Sequence, residues 1–263
     1  MMAFPTHWHS HETHHPPHHH SVIGNLRSLG VWSPQLQTER TVLVYLPPSY
    51  AHGQRRYPAL YMQDGQNLFD RATSYGGEEW QVDETLETLS REGLEVIAVG
   101  LHHGGEARLA EYNPFPGRWA GRGELYLQFV TDTLKPIIDH DFRTLADRAH
   151  TGLFGSSMGG LISLYGFFRR PEVFGLLGAM SPSLWISHGA IFDFIRQAPF
   201  NPGRIYLDNG TRELSARPMR ELLREKGYTP RTQLRYIAEK GGRHTESAWA
   251  RRFPGAVRFL LKK

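Results

Sequence analysis

The chain has 263 residues, 40% hydrophobic and 12% aromatic, enough for one sizeable core in a single domain. Its formal charge is +4, but Lys and Arg are scattered and form no basic run interleaved with aromatics, which argues against a nucleic-acid partner. Cysteine is absent, so disulfides and thiolate chemistry are excluded, and no apolar run approaches the ~20 residues that span a bilayer. With no apolar h-region behind basic residues at the N-terminus, the expectation is a soluble cytoplasmic protein without a membrane partner. Oligomeric state is left open.

In chain order, residues 1–20 hold eight histidines and three prolines with no periodicity. They read as a flexible His-rich arm; clustered imidazoles also permit metal capture, though no ligand spacing specifies it. Residues 21–263 read as one folded domain. The stretch of roughly 21–46 lacks helical patterns and is expected to pair as antiparallel edge strands. Strand-like stretches follow at 40–48, 57–65, 94–102, 149–157, 174–182, 203–210 and 232–239. Several are almost continuously apolar, as parallel strands covered on both faces require. Helical patterns occupy 78–93, 123–140, 158–170, 215–227 and 245–261. Strand–helix alternation of this kind predicts an α/β fold with a mostly parallel, doubly wound sheet and helices on both faces.

The stretch "HTGLFGSSMGGLISLYG" at 150–166 passes from an apolar strand to an amphipathic helix. Gly155, Ser157 and Gly159 fit G-x-S-x-G; Ser156 does not, because Phe154 and Met158 stand where it would need glycines. In a strand–turn–helix elbow the small neighbours let strand and helix approach, while the turn lifts the serine Oγ above the sheet. Ser157 is the expected nucleophile, the alternative being a plain glycine-rich turn.

A serine hydroxyl needs a base to take its proton. In this architecture the base comes last in the chain, after the final strand, with the acid before it. His244 in "EKGGRHTESAW" occupies that place. His150 starts the elbow strand at the wrong end of the sheet, and His102 and His103 come too early. For the acid, Asp208 closes a strand and can simply cap the turn "DNGT", whereas Glu213 sits farther into the loop, where it can reach the imidazole. Glu213 is preferred.

With these residues placed, the sequence resembles the putative-esterase (esterase D-like) family of α/β-hydrolases, which includes feruloyl, acetyl-xylan and enterochelin esterases. The likeness covers about 21–263 and is carried by "LYMQDGQNLFD", "GEEWQVDETLE", "RLAEYNPF", "HTGLFGSSMGG", "MSPSLW", "LDNGTRE" and "GGRHTESAW" in that order. The resemblance implies an α/β-hydrolase fold and hydrolysis of a small acyl or carbohydrate-linked ester through an acyl-enzyme, with no cofactor and no metal. It also implies an oxyanion hole made by the backbone amides of Gln66 and Met158. The family acid commonly follows a Gly-Thr pair, which favours Glu213, although many members carry Asp there. Trp80, Arg108, Tyr112 and Trp185 lie in family-like stretches and are candidate substrate contacts. The bland alternatives are core aromatics and a surface pair between Arg108 and Glu111. Two other functions fit the same residues, an acyltransferase with the same triad and a non-catalytic scaffold.

Overall fold

The computed structural model describes residues 7–11, 20–117 and 121–262. In them a nine-stranded sheet comprises β1 (His9–Ser10), β2 (Asn25–Ser33), β3 (Thr38–Leu46), β4 (Ala59–Gln63), β5 (Ile97–Leu101), β6 (Thr151–Ser156), β7 (Leu176–Met180), β8 (Arg204–Gly210) and β9 (Leu234–Glu239). Their spatial order is β1-β2-β3-β5-β4-β6-β7-β8-β9. β1, β2, β3 and β5 pair antiparallel, and every pair from β5 through to β9 is parallel. The expected antiparallel edge is therefore at the N-terminal side of a mostly parallel sheet.

The helices are α1 (Val82–Ser90), α2 (Arg108–Glu111), α3 (Gly123–Gln128), α4 (Lys135–Asp141), α5 (Ser157–Arg169), α6 (Ala190–Gln197), α7 (Arg217–Glu225) and α8 (Glu246–Leu261). Period-2 side-chain alternation divides the strands between two cores. Ala59 and Tyr61 of β4 join Leu161 and Phe167 of α5 and Ile191 of α6 on one face. Leu60 and Met62 face the other way, toward Leu86 of α1 and Phe253 and Val257 of α8. Both faces of the central strands are buried, which is why they read as unbroken apolar runs.

The structure departs from the sequence expectations in three places. The pattern at 123–140 is not one α-helix, because a π-helical segment, Phe129–Leu134, separates α3 from α4. Pro136, two residues beyond it, has no N–H for the carbonyl four residues back, so the regular ladder cannot run through. α6 lies within 183–200, which gave no helical reading. It has only eight residues and buries only Ile191 and Ile195, too little for a period to stand out. Finally, the described part of the N-terminal arm is docked rather than free. His9 and Ser10 pair with Ser28 and Arg27, and Trp8 Nε1 donates to Asp141 Oδ2 at 2.8 Å. The Trp8 ring meets Phe142 edge-on at 4.9 Å, burying aromatic surface the arm would otherwise expose. Residues 1–6 and 12–19, with the arm's remaining histidines, lie outside the described residues. No described helix is long and apolar enough to cross a membrane.

Candidate active site

The elbow forms where β6 meets α5. Ser156 ends the strand in extended geometry and is buried, whereas Ser157 has φ 55°. A left-handed conformation is strained for a residue with a Cβ and persists only where packing enforces it. Here the enforcement comes from two glycines. A Cβ on Gly155 would lie 2.6 Å from the Gly159 carbonyl carbon, and one on Gly159 would lie 2.8 Å from Gln63 Cβ. Strand, helix and the end of β4 thus approach more closely than any other residue allows. The Ser157 Oγ lies 3.2 Å from Ser183 Oγ, and its carbonyl accepts from the Ser183 amide at 2.9 Å. Met158 is in the first turn of α5, where amides have no carbonyl partner within the helix.

Across the C-terminal edge of the sheet, His244 Nδ1 lies 2.6 Å from Glu213 Oε2. The imidazole is largely accessible, with 44% of its side chain exposed, and the carboxylate is nearly enclosed at 7%. The ring also meets Trp249 edge-on at 4.9 Å. Burial alone would raise the Glu213 pKa. Hydrogen bonds from His244, the Gly210 amide and Ser181 outweigh it and hold the carboxyl below its ordinary value. Asp208, the other candidate acid, is wholly buried and makes no contact with His244. Its Oδ1 accepts from the Ser181 amide at 3.2 Å, and its Oδ2 lies 3.4 Å from Arg252 Nε. Burial dominates there and pushes the Asp208 carboxyl up to about 7 despite the arginine.

The loop after β4 closes the third side. Asp64 is left-handed (φ 57°), and Gly65–Asn67 forms a short 3-10 turn with Gln66 in it. A Cβ on Gly65 would lie 2.6 Å from the Gly100 carbonyl carbon, so only glycine lets this turn sit on β5. A Cβ on Gly159 would lie 3.3 Å from Asp64 Oδ2, which sets the turn directly against the elbow. Thr73 Oγ1 donates to the Gln66 carbonyl at 2.8 Å and steadies the turn from behind.

The four candidate substrate contacts separate. Trp80 is 2% exposed and packs among Phe154, Trp249 and Phe253. Tyr112 is wholly buried, and its hydroxyl accepts the Asp64 amide at 3.2 Å. Both support the site from within the core and have no face for a ligand. Arg108 does not pair with Glu111. It donates twice to Asp64, from Nε at 2.6 Å and Nη2 at 2.8 Å, while Glu111 pairs with Arg40. Trp185 is 56% exposed and, with Leu184, Phe192 and Leu214, lines an open cavity of about 800 Å³. Sequence reasoning missed Ser181, Ser183 and Arg252. The motif "MSPSLW" marked the loop of the two serines, but nothing in it shows which way their hydroxyls turn.

The sheet order and the strained serine between β6 and α5 define the class, an α/β-hydrolase. Residues 33–260 match the family model described as "Putative esterase", and the chain belongs to that family. It is 28% identical over 247 residues to the protein YbbA of Bacillus subtilis, covering 85% of this chain and 93% of that one. Over 164 residues it is 29% identical to an endo-1,4-beta-xylanase/feruloyl esterase of Xylanibacter ruminicola, covering 60% of this chain but 22% of that protein. Among solved structures, a ferulic acid esterase superposes with a TM-score of 0.72 at 19% identity, covering 90% of this chain and 98% of that one. The BES protein of Bacillus cereus gives 0.73 at 20% identity, with coverages of 92% and 97%. Family membership supports hydrolysis of carboxylic esters.

Proposed function

We propose that the chain is a serine esterase that works through an acyl-enzyme on a small acyl or carbohydrate-linked ester. The observation that carries this reading is the left-handed Ser157 at the elbow, on the same sheet edge as the Glu213–His244 pair. Ser157 Oγ attacks the ester carbonyl as His244 Nε2 takes its proton, so the hydroxyl exchanges its resting partner Ser183 for the imidazole. Glu213, held ionised, fixes the ring through Nδ1 and stabilises the imidazolium that forms. The Met158 and Gln66 amides receive the developing alkoxide, each donor contributing on the order of 3 kcal/mol to the barrier reduction. Collapse of the tetrahedral intermediate expels the alcohol, protonated by His244. Water, deprotonated by the same imidazole, then releases the acid.

The cavity beside Trp185 and Leu214 takes the acyl or alcohol portion of the substrate. Arg108, already committed twice to Asp64, holds the oxyanion turn and does not read a substrate carboxylate. Pre-steady-state hydrolysis of a panel of p-nitrophenyl, feruloyl and acetylated-sugar esters tests the reading. A burst of alcohol equal to the enzyme concentration is expected with at least one member. Absence of turnover across the panel by folded protein, together with no labelling by a fluorophosphonate, would overturn it.

A further inference from the structure

Outside the catalytic site, two imidazoles and a carboxylate converge from distant parts of the chain. His11 Nε2 lies 3.1 Å, and His20 Nδ1 2.5 Å, from the same oxygen, Oδ2 of Asp70. One ligand atom from each of the three residues lies within 4.8 Å of the others. The two rings meet edge-on with centroids 5.9 Å apart. The side chains of His11, His20 and Asp70 are only 5%, 10% and 0% exposed. The second carboxylate oxygen of Asp70 accepts from the Ala72 amide at 2.9 Å and the Ser21 amide at 3.4 Å. Backbone bonds of this kind orient a ligating carboxylate. A small cavity of about 200 Å³ lies beside His11, lined also by Ser10, Val22 and Asn25.

We propose that His11, His20 and Asp70 form a binding site for one divalent transition-metal ion of the zinc class. Zinc bonds to imidazole nitrogen and carboxylate oxygen at about 2.0–2.2 Å, so tetrahedral donors stand about 3.3–3.6 Å apart. The His11–Asp70 separation already nearly meets that spacing, and His20 needs to move outward by about 1 Å. Two nitrogens and one oxygen suit zinc, cobalt or nickel, whereas magnesium and calcium require oxygen shells. Three protein ligands leave one position for water.

The site joins the N-terminal segment to the loop behind the oxyanion turn. The Asp70 carbonyl accepts from the Ser74 amide at 3.1 Å, and Thr73 Oγ1 bonds to the Gln66 carbonyl. His11 and His20 are 59 and 50 residues from Asp70 in sequence, so a shared ion closes long loops and its binding free energy adds to that of folding. The role is that of a staple, separate from ester chemistry.

The test uses the full chain without an added affinity tag, stripped with a chelator and titrated with Zn²⁺ by calorimetry and with Co²⁺ by visible absorption. The wild type is expected to bind one tight equivalent, to develop the tetrahedral Co²⁺ band and to melt at a higher temperature with Zn²⁺ but not with Mg²⁺. His11→Gln, His20→Gln and Asp70→Asn should each weaken that equivalent more than about tenfold and remove the rise in Tm. If Asp70→Asn fails to fold, the two histidine variants decide. Lack of a saturable equivalent in the wild type would overturn the proposal. So would binding within threefold of wild type in the histidine variants, because the metal would then sit elsewhere in the His-rich arm.

Discussion

Ser181 Oγ donates to Glu213 Oε1 at 2.7 Å, and the same oxygen accepts from Trp249 Nε1 and Arg252 Nη2, each at 3.0 Å. One hydroxyl thereby spends its proton and both lone pairs on three partners. Its backbone amide donates to Asp208. A single residue, itself at φ 42°, thus ties the Glu213–His244 pair to the buried Asp208 carboxylate. The two acids have different surroundings and should answer differently to neutralisation.

Glu213→Gln should lower kcat far more than KM, because the bond to His244 strengthens as the imidazolium forms. The loss can reach about 10⁴-fold if the acid is fully engaged, and much less if serine and histidine suffice. Steady-state kinetics on a fast aryl ester, beside Asp208→Asn, decides. Asp208→Asn should keep most of its turnover, since Asp208 does not touch the imidazole. If Asp208→Asn abolishes turnover in folded protein while Glu213→Gln stays near normal, the two roles are exchanged.

The same pair of acids should leave opposite marks on stability against pH. Asp208 is raised from 3.8 to about 7 in the folded state. Between those values the folded protein holds a proton the unfolded chain has released, so this group costs stability progressively as pH rises from about 4 to about 7. Each unit of such a shift is worth about 1.4 kcal/mol. Denaturant unfolding should show Asp208→Asn gaining on the wild type over that window and running parallel above it. Glu213 is lowered, so its contribution is present above its ordinary value of 4.5 and lost as pH falls through the folded value. Glu213→Gln should flatten the acid limb. A constant difference between Asp208→Asn and wild type from pH 4 to 8 would contradict the placement of that carboxylate.

Ser181→Ala should act through Glu213. The expected result is a fall in kcat of about tenfold with little change in KM, alongside a loss of about 1–3 kcal/mol from leaving the buried Arg252 and Trp249 donors without their shared acceptor. Equal effects on kcat and KM would instead indicate a collapsed site.

Trp185 and Trp80 offer a contrast between a wall of the cavity and a piece of the core. Trp185→Ala should raise KM and change the preference among acyl chain lengths, with Tm nearly unchanged. Trp80→Ala should cost about 3–5 kcal/mol of stability, since it empties a packed aromatic cluster. Thermal unfolding and a chain-length series separate the two.

Much of this was legible in the residues because the same constraint acts locally and globally. Gly155 and Gly159 flank Ser157 since strand and helix nearly touch there, and that requirement is written in the spacing itself. The parallel strands were readable because burial on both faces leaves unbroken apolar runs. Trp80 and Tyr112, candidate substrate contacts by sequence, lie buried in the structure, because proximity to a site in sequence does not reveal the direction of a side chain. Arg108 found Asp64, forty-four residues away, rather than Glu111 on its own helix, a choice made by the packing of the β4 loop. Ser181 and Arg252 carry no local signature, since their roles exist only once β7 and α8 are side by side.

The identity of the nucleophile is tested most directly by intact-mass measurement of acyl-enzyme or fluorophosphonate adduct on Ser157→Ala and Ser156→Ala beside the wild type. The left-handed elbow at Ser157 and the buried, extended Ser156 predict a single adduct on wild type and on Ser156→Ala, and none on Ser157→Ala. A stoichiometric adduct on folded Ser157→Ala would contradict the account.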